Sequence, residues 1–168
     1  VLRDTNVLVL SDEIHCDITR PGTEYIPFAS VSEHCKYNSI TCVAPTKTFN
    51  LAGFQTAAVI VPDETLRHRV NRGLNTDEVA EPNVFAAIAP VAAFRHGAEW
   101  LDELREYLWE NRKFAEDFIR EEIPEFRTVS ADATYLLWID CNALPGDLSE
   151  LAEFIRKESG LYVCDGRE

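Results

Sequence analysis

Val7-Leu8-Val9-Leu10 is an unbroken apolar run that stops at Ser11-Asp12-Glu13-Ile14-His15-Cys16-Asp17. Continuous apolar segments of this length are typical of strands covered on both faces, as in parallel sheets. A second β-prone run, Ser39-Ile40-Thr41-Cys42-Val43, leads into Ala44-Pro45-Thr46-Lys47-Thr48-Phe49-Asn50-Leu51-Ala52-Gly53. The pattern predicts parallel core strands over 6–12 and 39–43. Between them, Arg20-Pro21-Gly22-Thr23 predicts a turn, Tyr25-Ile26-Pro27-Phe28 an extended segment, and Ala29–Glu33 a short element. Thr56–Val61 predicts another strand, stopped by Pro62, and Asp63 is placed to cap a helix over 64–73.

Helical spacing dominates the second half. Glu81-Pro82-Asn83 opens a helix whose interior, Val84–Phe94, is almost wholly apolar, and Pro90 within it predicts a kink or a break. A helix apolar all round is buried against a sheet or another subunit, and a dimer contact is the favoured expectation here. From Ala98 to Ile123, Trp100, Leu101, Leu104, Leu108, Phe114, Phe118 and Ile119 recur at three- and four-residue intervals, with charges between them. Pro124 ends that helix. A strand over Tyr135–Asp140, a Ser149-capped helix over about 150–158 stopped by Gly160, and a last strand over Leu161–Cys164 complete a small α+β unit. Tyr135 and Trp138 read as core aromatics.

Composition narrows the classes. A 168-residue chain with 46% hydrophobic residues has ample material for a core. A net charge of −13 argues against nucleic acid, which needs a basic face. Apolar runs long enough to span a membrane are absent, and Val1-Leu2-Arg3-Asp4 does not read as a signal peptide. The five cysteines are scattered without a CxxC pair, and the four histidines have no metal-ligand spacing. Reduced thiols of a cytoplasmic protein are expected, with Cys16 more plausibly a small hydrophobe than a reactive group.

Lys47 carries the first candidate chemistry. It lies in an otherwise small and apolar stretch at the exit of a strand, where desolvation lowers an amine's pKa and prepares it to attack a carbonyl. Alone, it reads better as a loop lysine whose head reaches water. Asp12 stands at the end of the first apolar strand, where open α/β sheets bind ligands, with His15 three residues on. A buried carboxylate is expected at Asp12, whereas Glu13 and Asp17 are expected to be solvated.

Taken together, Ser11-Asp12-Glu13-Ile14-His15 and Ala44–Gly53 resemble the corresponding motifs of fold-type I pyridoxal-phosphate enzymes. More closely, the chain resembles the MalY/PatB branch of the class I/II aminotransferase family, the cystathionine β-lyases and related C–S lyases. The resemblance implies that Lys47 forms a Schiff base with pyridoxal 5′-phosphate, that Asp12 pairs with the ring nitrogen, and that His15 lies near the cofactor's 3-oxygen. Many aminotransferases place a phosphate-binding serine and arginine where this sequence has Ala44 and Gln55. Those contacts do not carry over, and Thr46 is the candidate hydroxyl.

The implied fold is α/β, part of a transferase large domain with a mostly parallel sheet and helices, plus the start of a small α+β C-terminal domain. Residues 1–97 would belong to the large domain, 98–124 to a linking helix, and 125–168 to the small domain. The implied reaction is β-elimination from an amino acid such as cystathionine, giving thiol, pyruvate and ammonia. Transamination, a racemase or synthase reaction, and a non-catalytic fragment or interaction module stay open as alternatives. A whole enzyme of this type is more than twice as long, so the expectation is a central-to-C-terminal fragment of a homodimeric parent. The phosphate cup and the arginine for the substrate carboxylate would then lie outside it.

Overall fold

The computed structural model describes residues 7–144 and 146–166. These divide into two compact units. One holds the chain up to Trp109 together with Ala131–Tyr135, and the other holds Glu110–Ser130 and the chain from Leu136 onward.

The first unit is built on a three-stranded sheet. Strand β1 (Val9–Asp12) is followed by helix α1 (Glu33–Tyr37), strand β2 (Ser39–Val43), the one-turn helix α2 (Pro45–Thr48) and strand β3 (Ala58–Ile60). Helices α3 (Glu64–Thr76), α4 (Ile88–His96) and the first part of α5 (Ala98–Glu122) complete it. The strand order is β1-β2-β3. As their apolar pattern predicts, β1 and β2 run parallel, with Val9 opposite Ser39 and Asp12 opposite Cys42. β3 is antiparallel to β2, pairing Ala58 with Val43. The first two strands therefore finish level with each other, and the residues that follow them emerge at one end of the sheet.

Burial departs from the expectation of a sheet covered on both faces. Val9 and Ser11 are half-buried, but Leu10 is 68% exposed, so the described residues leave one side of β1 uncovered. Ile18, Ala44 and Val61 are buried apolar residues of this unit, joined by the buried polar side chains of Ser39, Thr41 and Thr48.

Caps shift several helix boundaries. Ser32, in extended conformation, accepts a hydrogen bond from Cys35 N and starts α1 at Glu33, after a separate 3₁₀ turn at Phe28–Ser30. Asp63 caps α3 as predicted, accepting from Leu66 N at 2.7 Å. No kink forms at Pro90. The Asn83 side chain accepts from Phe85 N in an Asx turn, and the helix proper begins at Ile88. Pro90 thus falls in the first turn of α4, where a missing N–H costs nothing. Nor is this apolar stretch buried: Val84, Phe85, Ile88, Val91 and Phe94 are all exposed.

In the second unit, β4 (Arg127–Thr128) and β5 (Ile139–Asp140) form a short antiparallel pair, followed by α6 (Leu148–Ser159). Arg112, from the later part of α5, is only 8% exposed. Its guanidinium donates to Glu116 Oε1 at 2.8 Å, Leu136 O at 3.0 Å and Val129 O at 3.2 Å. Asp147, rather than Ser149, caps α6, accepting from Ser149 N at 2.8 Å. Gly160 ends the helix at φ 73°, a left-handed conformation suited to glycine. The predicted strand over 135–140 shortens to Ile139–Asp140, and Leu161–Cys164 forms no strand among the described residues. Trp138 is exposed in this unit, and Tyr135, which belongs to the first, is also exposed, so neither is a core aromatic here.

Candidate active site

The level ends of β1 and β2 bring the two sequence motifs side by side. Glu13 N donates to Cys42 O at 2.8 Å, carrying the β1–β2 ladder one residue past the strand. The chain then turns, with Cys16 N donating to Glu13 O and Ile18 N to His15 O, each at 3.0 Å. On the other strand, Ala44 is extended and Pro45 opens α2, where proline's fixed φ suits the first helical position.

Asp12 is exposed, and its Oδ1 accepts from Ile14 N at 3.3 Å. The buried carboxylate is its neighbour. Glu13 is 6% exposed and accepts from Ser11 Oγ at 2.9 Å and Phe28 N at 3.0 Å. Burial, and then the neighbouring Glu13 carboxylate, push the Tyr25 hydroxyl's pKa above its ordinary value. The expectation of a buried Asp12 beside a solvated Glu13 is thus reversed. Successive residues of an extended strand point to opposite faces, so Asp12 lies on the open side with Leu10 while Glu13 turns inward. That alternation was the available signal for Glu13. Asp17, also expected to be solvated, is half-buried and accepts from Thr48 Oγ1 at 3.3 Å.

Lys47 is exposed, while its α2 neighbours Pro45 and Thr48 are buried and hold the turn in place. The desolvation expected for this amine is not supplied by the described residues, because α2 has a single inward face and Thr48 takes it. Thr46 is half-buried in the same turn, and its carbonyl accepts from Leu51 N at 3.0 Å. Gln55 is exposed in a left-handed conformation at φ 48°. His15 is half-buried, its ring tilted against Tyr135 at 5.4 Å between centroids. Its Nδ1 is buried without a hydrogen-bond partner among the described residues. Burial, then the charges of Asp17 and Glu13, raise the Cys16 thiol's pKa to about 11, which leaves it a protonated and poor nucleophile.

Among the described residues neither Asp12 nor Lys47 forms an ion pair. A solvent-facing carboxylate, an uncommitted amine and an imidazole with an orphaned buried nitrogen thus lie at or just after the adjacent ends of β1 and β2. This donor set fits a group carrying a carbonyl carbon, a basic ring nitrogen and a hydrogen-bonding oxygen.

The family model for aminotransferase class I and II matches residues 1–168. The chain belongs to that family. Among its curated relatives is cystathionine beta-lyase PatB of Bacillus subtilis (strain 168), 40% identical over 160 residues, which covers 95% of this chain and 41% of PatB. Protein MalY of Escherichia coli (strain K12) is 29% identical over 161 residues, covering 95% of this chain and 40% of MalY. Of the solved structures, cystalysin from Treponema denticola, which contains a pyridoxal 5′-phosphate cofactor, superposes with a TM-score of 0.88 at 29% identity, over 92% of this chain and 39% of that one. The chain therefore spans about two fifths of the length of these relatives. Its α/β fold is that of the fold-type I family members, with β1 and β2 as the parallel pair that carries the two motifs.

Proposed function

We propose that the protein carrying this chain is a pyridoxal 5′-phosphate-dependent C–S β-lyase. It would act on small amino acids with a sulfur leaving group at the β-carbon, such as cystathionine, and release thiol, pyruvate and ammonia. The observation that supports this reading is Asp12 at the end of β1 and Lys47 in the one-turn helix after the adjacent parallel β2, in a chain 40% identical to PatB.

When bound, the cofactor supplies an electron sink for the pair left by loss of the substrate's α-proton. Lys47 would hold the cofactor through its amine and would serve as general base for the substrate's α-proton. Asp12 holds a proton at the ring nitrogen, an arrangement its solvent-facing carboxylate permits. His15, whose buried Nδ1 has no hydrogen-bond partner among the described residues, would supply a hydrogen bond near the 3-oxygen. Thr46 offers its hydroxyl to the phosphate.

The organisation proposed with it assigns residues 1–97 to the large domain, 98–124 to a linking helix and 125–168 to the small domain. The exposed apolar residues Val84, Phe85, Ile88, Val91 and Phe94 support a homodimer contact at α4. Five free cysteines support a cytoplasmic location.

Transamination is the second reading, favoured by the breadth of the matching family. The natural-length protein, titrated with pyridoxal phosphate, is expected to develop a visible absorbance band that Lys47→Ala abolishes. Pyruvate released from cystathionine without an added keto acid identifies the lyase, and dependence on a keto acid identifies the aminotransferase. No spectral change at saturating cofactor would falsify both.

A further inference from the structure

Asp12 lacks strong anchors of its own: one hydrogen bond at 3.3 Å from Ile14 N, on the exposed side of the strand end. Its neighbour has the opposite character. Glu13 is buried at 6% exposure, and its carboxylate accepts from Ser11 Oγ and Phe28 N, with the Tyr25 hydroxyl close by. Its main chain is tied on both sides as well, by Glu13 N to Cys42 O and by Cys16 N to Glu13 O. Two donors converge on this side chain, one from the end of β1 and one from fifteen residues further along the chain. Glu13 Oε1 serves both Ser11 and Phe28, so the turn over residues 13–16 is clamped against the 25–28 segment.

We propose that Glu13 is a positioning residue: it fixes the turn that carries Asp12 and His15, and so sets where the ring-nitrogen partner and the imidazole meet the cofactor. The inference rests on the lyase reading above for what the turn positions. A glutamine keeps one acceptor oxygen that Ser11 and Phe28 can share, but it replaces the charge and the second oxygen with a pair of N–H donors. Removing the side chain leaves Phe28 N and the Ser11 hydroxyl without their shared acceptor, and the network loosens as a unit. Small displacements of groups that must meet a bound molecule are costly, so the loss reaches the site although Glu13 itself touches nothing that reacts.

The test uses the natural-length protein with Glu13→Ala, Glu13→Gln and, as a control for plain destabilisation, Asp63→Ala at the cap of α3. Pyridoxal phosphate affinity is read from the visible absorbance titration, and amide exchange at Cys16 and Phe28 is read without cofactor. Glu13→Ala is expected to weaken cofactor affinity by about tenfold, the effect of one or two kcal/mol of lost network. It should also speed exchange at both amides and shift the pH at which the visible band titrates. Glu13→Gln should fall between Glu13→Ala and the parent, while Asp63→Ala leaves affinity and band unchanged.

Cofactor affinity and band in Glu13→Ala equal to the parent's would overturn the proposal. So would an equal loss in Asp63→Ala, since that reduces Glu13 to general stability. Failure of the lyase reading looks different. The parent itself then shows no band, which removes the cofactor role, while exchange at Cys16 and Phe28 still reports whether Glu13 holds the turn.

Discussion

Thr48 donates its hydroxyl hydrogen to Asp17 Oδ2 at 3.3 Å, joining the one-turn helix after β2 to the segment that follows β1. Thr48 is only 1% exposed, and it is the next residue after Lys47. The Asp17 main chain is held from a third direction, since Arg105 Nε donates to Asp17 O at 2.9 Å and Arg105 Nη2 to Thr19 Oγ1 at 2.7 Å. The Lys47 turn and the Asp12 turn are therefore tied by a side-chain bond in addition to the β1–β2 ladder, and α5 fastens the pair to the rest of the unit.

Replacing Thr48 by valine keeps the shape and removes the hydroxyl. The expected cost is about 1 kcal/mol of stability, the net worth of one hydrogen bond. A denaturant midpoint unchanged from the parent's would show that the Thr48–Asp17 bond contributes nothing.

Arg112 is a larger liability. Its guanidinium serves Glu116 and two backbone carbonyls within the second unit. Arg112→Ala strips those acceptors of their donor and should cost about 3 kcal/mol, as for breaking a buried ion pair from one side. Lysine, which lacks the fork of donors, should recover only part of it. Chemical unfolding of the three proteins measures both numbers, and full recovery by lysine would contradict the geometric account.

The Cys16 thiol gives a pH prediction with a definite sign. An acid whose pKa is higher in the folded than in the unfolded state contributes stability that is intact below the unfolded value and lost as pH rises toward the folded one. With an ordinary value of 9.0 and a folded value of about 11, stability should fall between those limits. Cys16→Ala should flatten that fall. At pH 8, iodoacetamide should label the exposed Cys164 well before Cys16, as followed by peptide mass spectrometry.

At the start of α3, Asp63→Ala removes the acceptor for Leu66 N and should lower stability by about 1 kcal/mol. Asp63→Asn, which can still cap, should behave nearly as the parent in thermal unfolding. Equal effects of the two substitutions would mean that charge, not capping, is what Asp63 supplies.

Asp63 and Gly160 were legible because a cap is chemistry between near neighbours in the chain. The same holds for α5, whose three-and-four spacing of Trp100, Leu101, Leu104 and Leu108 returns as a helix from Ala98 to Glu122. Asp147 displaced Ser149 as the cap of α6, and Asn83 delayed α4 until Pro90 lay in its first turn. Both shifts came from one side chain reaching backbone two residues away, a contact that apolar periodicity does not register.

By itself the sequence determined the parallel pair of strands, the placing of Asp12 at the end of one and Lys47 in the turn after the other, and the family. Each follows from local apolar patterning or from short motifs read in order. Strand alternation turns Glu13 inward, but only the tertiary structure decided which donors meet it there, that Asp17 answers Thr48, and that Lys47 faces outward. Those outcomes depend on which donors arrive from residues 25–28, from α2 and from α5. Burial is set by neighbours across space, and a carboxylate's environment is not written in the residues beside it.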